Sequence, residues 1–244
     1  MEPLKNAGGR SGILSEVAQN ILRIREKAAA AAASCGRSVD EIALVAVSKT
    51  FPVGSILQAA ETGLQRFGEN RVQEAEAKIL QLRRTFKLEW HLVGHLQSNK
   101  VKRAVELFDV IHSLDSVKLA SKINQAALER KKTQSVLLQV DLGHEETKFG
   151  ADIETIPEIM AAVSGLNGIR LDGLMTIPPY FDDPEKSRPF YQKLRELRDA
   201  LEAERPGCLG KKHLSMGMSH DFEEAIREGA TIIRVGTAIF GLRQ

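Results

Sequence analysis

The stretch IALVAVSKTFPVGSILQAAE (residues 42–61) contains both halves of a βα unit. Residues 42–48 form a short, mostly apolar run that stops at Lys49, which is typical of a buried strand. Pro52 and Gly54 then favour a turn, and residues 56–61 follow with apolar positions at helical spacing. The sequence therefore predicts a strand, a turn and a helix in this order.

This pairing of a strand-like run with a helical pattern recurs along the chain. Strands are predicted at residues 42–48, 65–68, 88–94, 110–114, 136–140, 171–176, 213–216 and 231–235. Eight βα-type repeats indicate a parallel sheet. Their number favours an α/β fold built as a single (β/α)8 TIM barrel over an open doubly wound sheet. No Gly-x-Gly-x-x-Gly motif follows the first strand, which weakens the dinucleotide-binding form of the open sheet.

The domain organisation is simple. An extra, alanine-rich helix is predicted at residues 11–34, before the first strand, and Cys35 and Gly36 are suited to end it. Residues 1–12 are expected to form a disordered tail, and residues 13–244 a single domain. No stretch has the composition of a linker between domains.

Composition excludes several classes of protein. With 34 Lys and Arg against 32 Asp and Glu, the formal net charge of +2 is too balanced to indicate nucleic-acid binding. No apolar run reaches the ~18 residues of a membrane span, and the N-terminus has no apolar secretory segment. Cys35 and Cys208 form neither a disulfide framework nor a zinc motif. The chain is therefore expected to be cytoplasmic and to hold no metal.

In a (β/α)8 barrel, functional side chains collect at the C-terminal ends of the strands. Lys49 lies at such an end, where burial makes a lysine amine a better nucleophile toward carbonyl groups. It is either a Schiff-base lysine or a lysine that is held by a carboxylate or reaches water. Asn70 ends the second predicted strand and is either a turn or helix cap or a ligand contact.

Two small, hydroxyl-bearing turns follow the last two predicted strands. The first contains Ser215, Gly217 and Ser219, and the second contains Gly236 and Thr237. Glycine lets backbone N–H groups approach an anion, hydroxyl groups donate to it, and a helix N-terminus adds favourable partial charge. The two turns are therefore either a phosphate site or two ordinary βα turns.

Arg234 lies in the apolar run of the last predicted strand, where a guanidinium is costly unless it is paired. Its partner is either a carboxylate across the barrel or a ring nitrogen of a ligand. His91 and His95 lie in or just after the third strand and are interpreted as barrel histidines with satisfied hydrogen bonds. The basic cluster at residues 100–103 is interpreted as a solvated helix face.

Seven short segments, in register along the chain, together resemble the pyridoxal phosphate homeostasis protein family, also called the proline synthase co-transcribed family. They are AVSKT (46–50), FGEN (67–70), WHLVG (90–94), LQSNK (96–100), GLM (173–175), LSMGMS (214–219) and RVGTAIFG (234–241). The resemblance runs from about residue 15 to the C-terminus. This family is similar to the N-terminal barrel of bacterial alanine racemase, which again implies a (β/α)8 barrel.

The resemblance implies that the cofactor is pyridoxal 5′-phosphate. Lys49 matches the lysine that forms a Schiff base with it, Arg234 the arginine that faces its pyridine nitrogen, and Asn70 a residue that lines its pocket. The positions around the phosphate are matched by Ser215, Ser219, Gly236 and Thr237. His95 stands where many bacterial members have proline, and its role stays open.

The resemblance also bears on catalysis. An arginine leaves the pyridine nitrogen unprotonated, whereas a carboxylate would strengthen the electron sink that carbanion chemistry uses. Racemases complete their site with a tyrosine base from an additional C-terminal domain, and neither Tyr180 nor Tyr191 matches that base. The chain is therefore expected to hold the cofactor in vitamin B6 homeostasis without catalytic residues of its own. The alternatives are a racemase-like enzyme that depends on the cofactor and a cofactor-free Schiff-base aldolase.

The expected partners are the small-molecule cofactor and, transiently, apo-enzymes that receive it. Neither nucleic acid nor a membrane is expected to bind. Since the chain ends just past the predicted barrel, without the second domain of the racemases, we expect a monomer.

Overall fold

A computed structural model describes residues 15–143 and 149–242 of the chain. Its eight strands are parallel and form a closed barrel in sequence order, because β1 pairs with β8 as well as with β2. The strands are β1 (Ala43–Val47), β2 (Arg66–Glu69), β3 (Glu89–Leu92), β4 (Val110–Leu114), β5 (Gln134–Gln139), β6 (Ile169–Met175), β7 (His213–Ser215) and β8 (Ile232–Val235). The closed barrel confirms the predicted (β/α)8 fold over the open sheet.

Helices follow the strands and surround the barrel. They are α1 (Glu16–Ser34), α2 (Val53–Glu61), α3 (Val72–Leu82), α4 (Val101–Leu107), α5 (Val117–Glu129), α6 (Ile156–Ser164), α7 (Arg188–Glu204), α8 (Phe222–Arg227) and α9 (Thr237–Phe240). Short 3-10 helices lie at Val39–Glu41, Ser98–Lys100, Ile153–Thr155 and Pro184–Ser187. Within the described ranges, no helix is long and apolar enough to span a membrane.

The additional helix α1 begins later than predicted. Ser15 is its N-cap, since the Ser15 side chain accepts a hydrogen bond from the backbone N–H of Ala18 at 3.2 Å. The helix ends before Cys35, and Gly36 follows with a φ of +72°, a conformation that glycine adopts without strain. The tail predicted at residues 1–12 lies outside the described residues.

Alternation along the strands separates two apolar layers. Val45, Val110, Leu137, Met175 and Ile232 come from five strands and form one buried cluster, which places them inside the barrel. The apolar side chains that alternate with these along each strand point outward. They pack against the helices and form a larger buried cluster with them. Burial of each such side chain contributes about 1.5–3 kcal/mol to stability, so the barrel is a packed core and its function is confined to its ends.

Candidate functional site

Lys49 lies immediately after β1, half-buried at the C-terminal end of the barrel. It occupies a tight turn that is closed by a hydrogen bond from the Phe51 N–H to the Ser48 carbonyl oxygen at 3.1 Å. The next residue, Thr50, has a φ of +68°, which a β-branched side chain rarely adopts. The backbone around Lys49 is therefore held in a strained conformation, as is common at functional sites.

The turns after β7 and β8 contact each other. The Ser219 hydroxyl oxygen accepts hydrogen bonds from the backbone N–H groups of Gly236 and Ala238, both at 3.2 Å. Gly217, in the first of these turns, lets the chain pass close to α8. Its φ is +88°, and a Cβ there would lie 2.5 Å from the Cβ of Ala225. Because these two N–H groups make Ser219 Oγ an acceptor, the Ser219 hydroxyl hydrogen is left to donate at the start of α9, an arrangement suited to an oxygen of an anion. Thr237, the first residue of α9, is exposed at the same place.

Arg234 points into the barrel interior and is only 4% exposed. Its Nη1 donates to Ser215 Oγ at 2.6 Å and its Nη2 donates to the Thr176 carbonyl oxygen at 2.9 Å. Among the described residues it forms no ion pair with a carboxylate, so the predicted alternative of a carboxylate across the barrel is not what is found. Burial lowers the pKa of Arg234 to about 10. The charge of Asp221 offsets this burial in part, but no carboxylate of the described residues lies within ion-pair distance of the guanidinium. Its remaining N–H groups are therefore suited to a ligand that presents acceptor atoms.

Ser215 accepts a hydrogen bond from Arg234 and is not part of the contact between Ser219 and Gly236. It is the last residue of β7, fully buried, and its Oγ also lies 2.9 Å from His112 Nδ1. Because arginine can only donate, the Ser215 hydroxyl is left to donate to His112. The implied place of Ser215 beside a phosphate stays a prediction, and the contacts of its hydroxyl in the described structure are those to Arg234 and His112.

The sequence analysis missed His112, which lies fully buried in β4. Its Nε2 is 2.8 Å from His91 Nδ1. The other ring nitrogen of His91, Nε2, lies 3.2 Å from Glu89 Oε1, and the interpretation of His91 as a histidine with satisfied hydrogen bonds stays a prediction. Burial, with the neighbouring charges of His91 and Arg234, holds the pKa of His112 well below its usual 6.5. The signal for it was a histidine in the otherwise apolar run 110–114, which is costly unless its nitrogens are bonded.

Asn70 is not a helix cap. The N-cap of α3 is Arg71, which makes no capping hydrogen bond, and Asn70 Oδ1 is buried without a partner among the described residues. A Cβ on Gly94 would overlap the Asn70 carbonyl oxygen, so glycine is required there. Asn70, Gly94 and His95 line a groove of about 760 Å³ at this end of the barrel. An unpaired buried acceptor beside a groove favours the ligand-contact interpretation.

His95 lies at the rim of this groove. Its ring stacks on Phe149 with centroids 3.8 Å apart, and its Nδ1 is 3.6 Å from Asp115 Oδ2. No set of three or more His, Cys, Asp or Glu side chains in the described part of the chain is arranged to hold a metal ion.

These features define a class of protein. Residues 14–244 match the family model for the N-terminal domain of alanine racemase, and a closed (β/α)8 barrel with a lysine after β1 and an anion cradle after β7 and β8 agrees with that match. The chain belongs to this family and, by the relatives below, to its pyridoxal phosphate homeostasis proteins. The resemblance read from the sequence is thereby confirmed.

The relatives cover nearly the whole chain. The pyridoxal phosphate homeostasis protein of Aquifex aeolicus is 45% identical over 93% of this chain and 98% of its own length. That of Escherichia coli K12 is 39% identical over 94% and 98%. Among solved structures, PipY of Synechococcus elongatus PCC7942 with PLP bound is 37% identical, with a TM-score of 0.82 over 92% of this chain and 100% of PipY. The alanine racemase of Clostridium difficile 630, 18% identical with a TM-score of 0.68 over 94% of this chain and 56% of its own, shares the fold alone.

Proposed function

We propose that this chain binds pyridoxal 5′-phosphate in intracellular vitamin B6 homeostasis, and that it holds the cofactor without catalysing a reaction on it. The observation that carries the proposal is Arg234, a buried cation that forms no ion pair in the described structure. A pyridine nitrogen is an acceptor that such a guanidinium can satisfy. The name and bound cofactor of the relatives support the same assignment.

The other site residues fit the remaining groups of this cofactor. Lys49 supplies an amine for the aldehyde, which, when bound, provides the electrophilic carbon for a covalent Schiff base. The Ser219 and Thr237 hydroxyl groups supply donors for the phosphate, and Gly236 holds Ser219 in place through its backbone N–H. Asn70 brings an unpaired buried acceptor to the pocket wall. For Ser215 we propose a different part from the one the resemblance implies, since its hydroxyl holds Arg234 in place.

Two features support binding without catalysis. An arginine beside the ring nitrogen keeps that nitrogen unprotonated, which weakens the electron sink that carbanion chemistry requires. In addition, neither of the chain's two tyrosines matches the tyrosine base that the racemases use. Tyr191 is completely buried in α7, and Tyr180 is 73% exposed beside His220.

Absorption spectroscopy tests the binding proposal. Purified protein loaded with pyridoxal 5′-phosphate should show a visible band and an adduct that borohydride traps on Lys49, because both need the Schiff base. Lys49→Ala should lose both. The matched control is Lys102→Ala, which removes an exposed lysine of α4 and should keep both. A wild-type protein that stays colourless after incubation with the cofactor would refute the proposal.

The absence of catalysis has a separate test. We expect no exchange of the α-proton of any amino acid into deuterated water by the loaded protein, across a panel that includes alanine. Substrate-dependent exchange that disappears in Lys49→Ala would establish the racemase-like alternative instead.

We further propose that the protein is a cytoplasmic monomer that passes the cofactor to apo-enzymes. Light scattering should give the mass of one chain, 26.9 kDa. Mixing loaded protein with an apo-enzyme that depends on pyridoxal phosphate should restore its activity faster than free cofactor at the concentration that the loaded protein releases. A dimer in scattering, or restoration at the rate of free cofactor, would remove the corresponding part of this proposal.

A further inference from the structure

A buried polar cluster lies behind the turn that carries Lys49, between the barrel and α3. Its centre is Lys78, which is 7% exposed. The Lys78 ammonium donates to the Ser48 carbonyl oxygen at 2.8 Å, to Glu69 Oε1 at 2.8 Å and to Glu74 Oε1 at 2.7 Å. An ammonium has three donors, so each donor of Lys78 is matched by one acceptor.

The cluster forms hydrogen bonds to the residues on both sides of Lys49. On one side, the Ser48 hydroxyl donates to Glu69 Oε1 at 2.6 Å. On the other side, the Thr50 backbone N–H donates to Glu74 Oε1 at 2.5 Å. Ser48 and Glu69 both contact Lys78 on the helix side of the barrel, and Lys49 lies between the two anchored residues Ser48 and Thr50. The cluster therefore fixes the backbone from which the Lys49 side chain extends.

The cluster is not what packing alone would select. Val72, Ala75, Ile79 and Leu82 form the apolar face of α3, and Lys78 stands among them at a buried position. Burying the two ionisable groups Lys78 and Glu69 is costly, and apolar side chains of similar volume are often at least as stable. Burial also raises the pKa of Glu69, whose Oε2 has no partner among the described residues. The turn at Thr50 is strained as well. Buried charge and backbone strain each lower the stability of the fold, and their occurrence together at one place is typical of a functional site.

We propose that Lys78 is a positioning residue for Lys49: through Ser48, Glu69 and Glu74 it holds the strained turn so that the Lys49 amine is aimed at the carbonyl carbon of the bound cofactor. This inference rests on the proposed function, because it concerns the rate at which Lys49 forms the Schiff base. It assigns Lys78 no contact with the cofactor.

The test compares Lys78→Met with Lys132→Met, a matched control. Lys132 is also partly buried and also donates to backbone carbonyl oxygens, those of Val105 at 2.8 Å and Phe108 at 3.3 Å. It lies just before β5, at the opposite end of the barrel. Two probes are used with each protein. Pyridoxal 5′-phosphate reports Schiff-base formation in a stopped-flow absorbance trace. Pyridoxine 5′-phosphate, which has an alcohol in place of the aldehyde, reports non-covalent affinity by calorimetry.

We expect Lys78→Met to slow Schiff-base formation at least about tenfold, because small misplacements of reacting groups have effects of this size. Its affinity for pyridoxine 5′-phosphate should stay within about twofold of wild type, since the ring and phosphate contacts are intact. Lys132→Met should match wild type in both. A purely structural role for Lys78 would lower both quantities together, and that result, or an unchanged rate, overturns the inference.

Glu74→Ala keeps the inference testable if Lys78→Met does not fold. The Glu74 side chain is 27% exposed, so its truncation is tolerated more easily, yet it removes the acceptor of the Thr50 N–H. The same slow reaction with unchanged alcohol affinity is expected, and a wild-type rate would refute the inference. If the wild-type protein forms no Schiff base at all, the proposed function fails and this inference fails with it. If the wild type forms the Schiff base and both variants form it at the wild-type rate, the inference alone fails.

Discussion

Replacing Arg234 with methionine should make the cofactor-free protein more stable and the loaded protein less so. In the cofactor-free structure the guanidinium is buried and forms no ion pair in the described ranges. Its stability cost is therefore offset only in part, by the charge of Asp221, until a ligand provides an acceptor. Methionine has a similar length, carries no charge and fills irregular space well, so the substitution removes the charge with little change in packing.

The magnitude follows from the geometry. A pKa of about 10, against 12.5 for a solvated arginine, corresponds to about 3 kcal/mol of unfavourable burial. Methionine leaves Ser215 Oγ and the Thr176 carbonyl oxygen each without one donor, at about 1 kcal/mol apiece. The net gain for the cofactor-free variant is about 1 kcal/mol, or about 2–4 °C in Tm for a chain of this size. In the loaded protein, loss of a charge-assisted hydrogen bond should weaken cofactor binding about ten- to a hundredfold.

The assay is urea unfolding of both proteins, first after removal of the cofactor with hydroxylamine and then at saturating pyridoxal 5′-phosphate. The order of stability should reverse between the two conditions, with the variant higher when cofactor-free and the wild type higher when loaded. If the cofactor-free variant is the less stable by 1 kcal/mol or more, Arg234 stabilises the fold by itself. The claim that Arg234 awaits a ligand is then wrong.

Two further outcomes are expected. Ser219→Ala removes a hydroxyl from the cradle formed with Gly236 and should weaken pyridoxal 5′-phosphate about tenfold, while the affinity for pyridoxal, which lacks the phosphate, stays the same in titrations of both ligands. His112 is neutral when folded because its pKa lies well below 6.5, whereas the unfolded chain takes up a proton below that pH. Stability should therefore fall progressively as the pH is lowered through 6.5 and below. His112→Asn should abolish most of this decrease in urea unfolding above and below that pH; an equal decrease in the variant would assign it to other groups.

The fold was predictable because buried parallel strands are short apolar runs between helical patterns. The ends of the strands were less predictable. The strand predicted at 88–94 ends at Leu92, and the strand predicted at 171–176 begins at Ile169. β6 contains a register shift against β5, between the pairs of Val136 and Leu137, and Gly173 there approaches His213 too closely for any side chain. Local periodicity contains no information on such an irregularity.

The site was predictable only where a side chain follows a strand. Lys49, Ser219 and Gly236 could be proposed because strand ends share one face of a barrel. The hydrogen bond between Ser215 and Arg234 could not, since it depends on how β7 and β8 lie side by side. Lys78 was missed for another reason. Its partners Glu69 and Ser48 are nine and thirty residues away, so only the fold brings them together, although a lysine on the apolar face of a helix was a visible signal.

The buried cations Lys78 and Arg234 differ in how far the described chain compensates their charge. Lys78 has a carboxylate or carbonyl acceptor for each donor and makes two ion pairs, so its burial is compensated within the chain. Arg234 has one hydroxyl and one carbonyl for its five N–H groups and no carboxylate in the described structure. A compensated cation can fix the backbone, whereas an uncompensated one is completed by something that the chain does not supply. The difference in compensation, more than the depth of burial, therefore assigns Lys78 to positioning and Arg234 to the ligand.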